Sequence, residues 1–353
     1  MPDQKVLSLA EVAGLLGLSL HGDGQRQVRG IGALDSAQAD QLSFLANAKY
    51  RRLLAETQAG AVIVHPDLLA EAQAAGDDRV ILVSDNPYLA YAKASALFEP
   101  LEKPLAGVHP SAVVESDQVH PSASIGANCV IEAGAEIGEG TVIAPGTVIG
   151  RGSQIGKYSY LHANVTVYHG VSIGDECIIH SGVVIGGDGF GFAPSKDGWV
   201  KIHQLGGVRI GNRVEVGANS CIDRGALNDT VIGDGVIMDD FTMIAHNVEV
   251  GEGTAMAACN QVAGSAKIGK HCTLAGNVGV VGHIQIADGV HLTARSLVTK
   301  SIDQVGTYSS GGSPLMETAR WRKNSARFGK LDELYRQVQA LEKQLKKLHE
   351  DKS

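Results

Sequence analysis

The chain has 353 residues, a formal net charge of −8 at pH 7, 44 glycines and only 5% aromatic residues. That length suits two or three domains. The acidic balance, with no basic stripe, argues against nucleic acid, and no run of about 18 apolar residues offers a transmembrane helix. The N-terminal sequence MPDQKVLSLAEVAGLLGLSL lacks the n-region and cleavage site of a signal peptide, so the expected location is the cytoplasm.

In residues 1–100, short apolar runs (Ala61–Val64, Val80–Val83) alternate with helical-looking stretches (Leu9–Leu16, 46–55, 88–98). This pattern predicts a small α/β domain. Within it Phe44, Asn47 and Tyr50 are spaced by three, and on a helix they would share a face. Such a triple can stack on a base and hydrogen-bond its edge; an ordinary amphipathic helix has the same spacing. Residues 99–104 read as a linker.

From position 113 to position 185 every sixth residue is Val, Ile or Leu, giving 13 hexapeptides. A period of six is neither helical nor simple strand alternation. It marks a chain coiling around a prism, with one aliphatic side chain entering the core from each face. Four residues after many of these aliphatics comes a small residue such as Thr141, Thr147 or Ser153, predicting a second inward slot. Gly often follows the aliphatic directly, as expected at a tight corner. Three faces of six residues make an 18-residue coil, so the fold class is mainly β, a parallel β-helix spanning 105–305.

Residues 186–207 interrupt the period. The glycine-rich segment around Phe190 and Phe192 predicts a loop folded over one wall, closing a cleft. The period returns at Ile210, Val216 and Ile222, slips by four residues, and runs again from position 232 to 298. These two stretches add 15 hexapeptides, hence about nine coils in all. In the later run His246 follows Ile244 by two, near a corner and facing outward. Gly264 lies 18 residues on, and stacked strands are about 4.8 Å apart. The spacing therefore predicts a backbone N–H above an imidazole, the minimal arrangement for acyl transfer. His283 follows two coils and one residue after His246. A solvated outward histidine is the plain alternative for both, and for His162, His169, His180, His203 and His291.

The five cysteines show no CxxC spacing, and Cys129, Cys177 and Cys272 fall in the small inward slot, so packing is their expected role. No metal is expected. After a Gly-Gly-Ser-Pro break at 311–314, a helical extension covers 314–353. In it Leu331, Leu334, Val338, Leu341, Leu345 and Leu348 form a seam that needs a partner helix. From Glu317 onward ten Lys/Arg face six Asp/Glu, so this tail carries +4 and the remainder −12. A basic tail on an acidic body suggests an acidic partner at that end.

Several long motifs carry a resemblance. Gly186-Gly187-Asp188-Gly189-Phe190-Gly191, Trp199-Val200-Lys201-Ile202-His203-Gln204-Leu205-Gly206, Ile222-Asp223-Arg224-Gly225-Ala226-Leu227 and Ile244-Ala245-His246-Asn247-Val248 together resemble the UDP-3-O-(3-hydroxyacyl)glucosamine N-acyltransferases of lipid A biosynthesis. The resemblance covers essentially the whole chain. It implies a homotrimer of left-handed β-helices with active sites between neighbours. It implies transfer of an (R)-3-hydroxyacyl group from acyl carrier protein to the 2-amine of a UDP-sugar. The acyl group rides on the carrier's phosphopantetheine, and no cofactor of the enzyme's own is implied. His246 matches the family's general base, Gly264 its backbone oxyanion donor and His283 a second histidine of the cleft. Phe44, Asn47 and Tyr50 match its uracil-binding residues. Asp239 matches a substrate-binding position, and either Asp239 or Asn247 could orient the imidazole. The acyl chain is expected in a groove along the coils, ended near Leu297. Two rivals are an O-acyltransferase on UDP-N-acetylglucosamine and a coenzyme-A acetyltransferase, against which the N-terminal domain argues. A third is a non-enzymatic scaffold, which would show more uniform walls.

Overall fold

The computed structural model describes residues 5–76, 78–99, 104–311 and 315–350. It divides the chain into two compact units, Met1–Lys103 and Pro104–Ser353. Residues 100–103 of the expected linker, residues 312–314 of the expected break and the Leu348 side chain lie outside the described part.

The first unit holds a five-stranded sheet in the order Ser19–His21, Val80–Val83, Ala61–Val64, Gln41–Phe44, Gly30–Ile31. The first two strands pair antiparallel and the others parallel. Strands Val80–Val83 and Ala61–Val64 are apolar throughout because both sheet faces are covered there. Ala61, Ile63 and Leu82 meet Leu9, Val12, Ala90 and Ala94 of the helices Leu9–Leu16 and Pro87–Leu97. Val62, Val64 and Ile81 meet Leu54 and Ala72 on the other face. The single helix expected over 46–55 does not form. Phe44 ends a strand, and the Asn47 side chain caps a 3₁₀ helix, Ala48–Leu54, by accepting the Lys49 N–H at 2.9 Å. Pairing of Phe44 with Ile63 in the sheet overrides the helical spacing.

The second unit is a parallel β-helix, as the six-residue period requires. Its three walls contain 11, 10 and 8 strands, and partners along each wall are 18 residues apart in most coils, as in Ile131↔Ile149 and Met256↔Leu274. The inward aliphatics form one continuous buried column that includes Ile131, Ile149, Ile179, Ile222, Ile244 and Leu274. Hydroxyls of the second inward slot bridge successive coils: Thr254 Oγ1 donates to the Gly269 carbonyl at 2.8 Å and accepts the Cys272 N–H at 3.0 Å. Cys129, Cys177 and Cys272 are buried in this slot. The glycine directly after the aliphatic has a different cause from the one expected. At Gly138 a Cβ would stand 2.6 Å from the Gly156 carbonyl carbon, so the next coil leaves no room. The left-handed corner falls two residues later, at Gly140 (φ 63°).

The last described segment comprises helices Thr318–Phe328 and Leu331–Glu350. Leu331, Leu334, Val338, Leu341 and Leu345 are all exposed. Among the described residues no helix is long and apolar enough to cross a membrane.

Replacing Thr254 by Val keeps the shape but strands the Gly269 carbonyl and the Cys272 N–H. Unfolding free energy should fall by about 1–3 kcal/mol. Urea melts that show no loss would contradict the hydroxyl's bridging role.

Candidate active site

The coil register brings three of the expected residues into one stack. Ile244 pairs with Val262 of the next coil, which sets Gly264 over His246. A Cβ on Gly264 would stand 2.6 Å from His246 Nε2 and 2.7 Å from Cε1, so the imidazole lies against the Gly264 Cα and any side chain there would have to displace it. One coil further, the His283 N–H donates to the Gly264 carbonyl at 3.1 Å, fixing that peptide. His283 sits at a left-handed corner (φ 61°), and it is exposed.

At the corresponding corner of some coils on another wall, a side-chain oxygen of the next coil accepts the N–H: Asp175 from Lys157 at 2.6 Å, Asp234 from Asn212 at 2.8 Å, Asp288 from Lys270 at 2.7 Å. On the wall of His246 that group is left open: the Gly264 N–H, like those of His246 and Gly282 in the coils on either side, makes no hydrogen bond among the described residues.

Asn247 fixes the tautomer of His246. Its Nδ2 donates to the Asn228 carbonyl at 2.7 Å, and its Oδ1 accepts the Ala226 N–H at 2.9 Å. Those two bonds determine which end of the amide faces the ring. Oδ1 therefore lies 3.1 Å from His246 Nδ1 as an acceptor, so Nδ1 carries the proton. The lone pair is left on Nε2, the nitrogen beside Gly264. This decides between the two residues that could orient the imidazole. Asp239 is exposed on the adjoining wall after Met238, where its Oδ1 accepts the Asp240 N–H at 2.8 Å.

The interruption closes over the same histidine. Strand Val184–Asp188 runs into Gly189, where a Cβ would stand 2.7 Å from His246 Cβ. The chain then forms a hairpin, Phe192–Ser195 with Gly198–Lys201, and Phe190 and Phe192 are exposed. Asp188 and Lys201 hold the base of this excursion together at 2.5 Å. Buried Arg224 pins its return: Nε donates to the Gly206 carbonyl at 2.8 Å, and the guanidinium also reaches His169 Nε2 at 2.6 Å.

Arg224 and its neighbour Asp223 have no place in the spacing argument. Ile222 pairs with Ile244 across 22 residues because the four-residue slip lies between them, so Asp223 comes level with Ala245 beside the imidazole. Burial pushes the Asp223 carboxyl up from 3.8 to about 6, with His246 opposing the rise and Asp188 adding to it. Counting back 18 from His246 lands on Asn228 instead and conceals this carboxylate.

His169 is held by Arg224 and His203 lies near Asp188, while three other histidines sit on another wall. His162 and His180 stack at 4.9 Å, and His180 Nε2 meets Glu215 at 2.9 Å on another wall. His291 pairs with Thr273 at 2.6 Å. Among the described residues no cluster of His, Cys, Asp and Glu could hold a metal. In the first unit Phe44 stacks on Tyr91 at 4.0 Å and 11°, a partner the sequence pattern did not indicate, while Asn47 and Tyr50 are exposed.

The coiled wall of six-residue repeats that carries this imidazole and its covering loop places the chain in the class of hexapeptide-repeat transferases. Residues 118–151 and 152–187 match the bacterial transferase hexapeptide model, and residues 25–97 match UDP-3-O-(3-hydroxymyristoyl) glucosamine N-acyltransferase, LpxD. Proteins named UDP-3-O-acylglucosamine N-acyltransferase are similar along nearly the whole chain. The one from Pseudomonas savastanoi pv. phaseolicola is 50% identical over 96% of this chain and 95% of its own length. That of Pseudomonas aeruginosa strain UCBPP-PA14 is 52% identical over 96% and 94%, and that of Hahella chejuensis 51% over 95% of each. The chain belongs to the UDP-3-O-acylglucosamine N-acyltransferase family and is an acyltransferase.

Gly264→Ala must displace the imidazole, and a shift of about 1 Å can cost roughly 100-fold in rate. Turnover should fall by at least that factor with the β-helix intact by circular dichroism. Wild-type turnover in this variant would mean that the stacked arrangement is not used.

Proposed function

We propose that the protein transfers an (R)-3-hydroxyacyl group from acyl carrier protein to the 2-amine of UDP-3-O-(3-hydroxyacyl)glucosamine, a step of lipid A biosynthesis, with His246 as general base. The observation that carries this reading is the His246 imidazole, with its lone pair on Nε2, lying against a glycine whose N–H is free. The names of its relatives supply the substrate class.

The chemistry follows from the stack. The neutral 2-amine attacks the thioester carbonyl, and His246 Nε2 takes a proton from nitrogen as the C–N bond forms. General-base help of this kind contributes about 10²–10⁴-fold. The Gly264 N–H faces the oxygen on which negative charge develops, and loss of one such donor costs about 100- to 1000-fold elsewhere. As the C–S bond breaks, the imidazolium returns its proton to the departing thiolate of the phosphopantetheine arm. Asn247 holds Nδ1–H throughout, and His283 lines the cleft.

The other parts fit the same reaction. The Tyr91 ring covers one face of Phe44, and the other face, with Asn47 and Tyr50, serves uracil. Asp239 contributes to the sugar-nucleotide site from its own wall. The acyl chain runs along the outward row of Gln261 and Gly279 and ends at Leu297, whose Cδ1 would stand 3.2 Å from a Cβ on Gly279. The exposed seam from Leu331 to Leu345 joins three copies in a homotrimer. Arg320, Arg322, Lys323 and Arg327 on helix Thr318–Phe328 receive the acidic carrier protein.

The test is an assay of the purified protein with 3-hydroxyacyl carrier protein and O-acylated UDP-glucosamine, detecting the N-acyl product by mass. Product is expected from the wild type. His246→Ala should lose at least two orders of magnitude in turnover with an unchanged melting temperature. No product from the wild type overturns the substrate assignment; undiminished turnover in the variant removes His246 from the mechanism.

A further inference from the structure

Asp223 is a half-buried carboxylate that the reaction as described leaves idle. It lies on strand Cys221–Arg224, between Ile222, which enters the core, and Arg224, which is buried against Gly206 and His169. Alternation along the strand turns Asp223 to the outer face, level with Ala245 and next to His246. On the preceding coil it pairs with Gly187, just past a register shift, so the neighbouring backbone presents no side chain there. The charged groups around it are otherwise engaged. Asp188 is neutralised by Lys201 at 2.5 Å, with His203 close enough to help lower its carboxyl. The guanidinium of Arg224 is spent on Gly206 and His169. No hydrogen bond or ion pair reaches the Asp223 carboxylate from any described residue.

A partly desolvated carboxylate without a partner costs folding free energy, and a cation with N–H donors relieves that cost. We propose that Asp223 is the anion that receives the substrate's 2-amine, accepting one of its N–H bonds and holding the nitrogen beside His246. This rests on the reading of His246 as the base in the reaction above. The 2-amine binds as the ammonium and releases one proton to solvent before attack; of the two N–H groups that remain, one stays on Asp223 and the other faces His246 Nε2, and the freed lone pair is directed at the thioester carbon. Asp223 thereby selects an amine over a hydroxyl at this position of the sugar. A sugar bearing a 2-hydroxyl would leave the carboxylate without its counter-charge.

The discriminating measurement is binding, by calorimetry, of UDP-3-O-acylglucosamine against its 2-hydroxy analogue, UDP-3-O-acylglucose. A hydrogen bond to a charged group corresponds to roughly ten- to hundredfold in affinity. The wild type should prefer the amine by that factor at pH 7.5, and Asp223→Asn and Asp223→Ala should bind the two sugars within about twofold of each other. Burial raises the Asp223 pKa from 3.8 to about 6, so its charge is present above pH 6 and lost below it. The wild-type preference should accordingly shrink between pH 7.5 and pH 5, a readout that needs no variant. The same raised value means that ionised Asp223 opposes folding above about pH 6, so Asp223→Asn should melt at or above the wild-type temperature at pH 7.5. His246→Ala should keep the amine preference, so a failed general-base assignment would appear in turnover and leave this test standing. A tenfold amine preference that survives in Asp223→Asn, or that does not weaken at pH 5, overturns the proposal.

Discussion

The register of one coil upon the next is the constraint on which the site depends. With parallel strands hydrogen-bonded about 4.8 Å apart, a side chain on one coil has its neighbour chosen by the length of the coil. The core tolerates only a narrow choice: an aliphatic every sixth residue and a small or hydroxylated residue in the second slot, where Thr254 and its equivalents bind the backbone above. A helix built this way is rigid along its axis and has little freedom to move one wall residue against the next. That rigidity suits catalysis by pre-placed dipoles, since a backbone N–H fixed by the coils needs no reorganisation when charge develops.

Around this frame the protein departs from its own repeat in a few places, and the chemistry gathers there. The corner over His246 carries no side chain: Gly264 lets the imidazole lie against the backbone, and its N–H makes no hydrogen bond among the described residues. The walls, otherwise regular, are breached by the excursion from Gly189 to Gly206, whose base is tied by Asp188 and Lys201 and whose return is held by Arg224. The four-residue slip between Ile222 and Ile232 lets Asn228 and Ala226 grip Asn247 from both sides. Regular coils set the distances; irregular ones supply polar groups that the core does not consume.

This division explains what was legible in the sequence. The β-helix, the stacking of Gly264 on His246 and the loop over the wall all follow from counting, because a fixed period converts sequence separation into spatial contact. Counting fails across the slip, so Asp223 and Arg224, 22 residues from the coil they face, are invisible to an 18-residue rule. The choice of Asn247 over Asp239 also lies beyond it, since that depends on how an amide is turned by its own partners. In the first unit the three-residue spacing of Phe44, Asn47 and Tyr50 suggested one helical face. Long-range pairing of Phe44 with Ile63 made a strand instead, and long-range pairing leaves no local trace. Glycines after the core aliphatics were legible as a pattern and misread as a cause: they yield to a neighbouring backbone, while the left-handed turn is made two residues on.

The central claim is that His246 and Gly264 act as one unit on one reacting carbonyl. A double-mutant cycle on turnover tests it most directly, comparing His246→Ala, Gly264→Ala and the double variant. Residues that act together are strongly non-additive. The account predicts that the double variant is scarcely slower than the slower single one. Losses that multiply in full would show two independent contributions and contradict it.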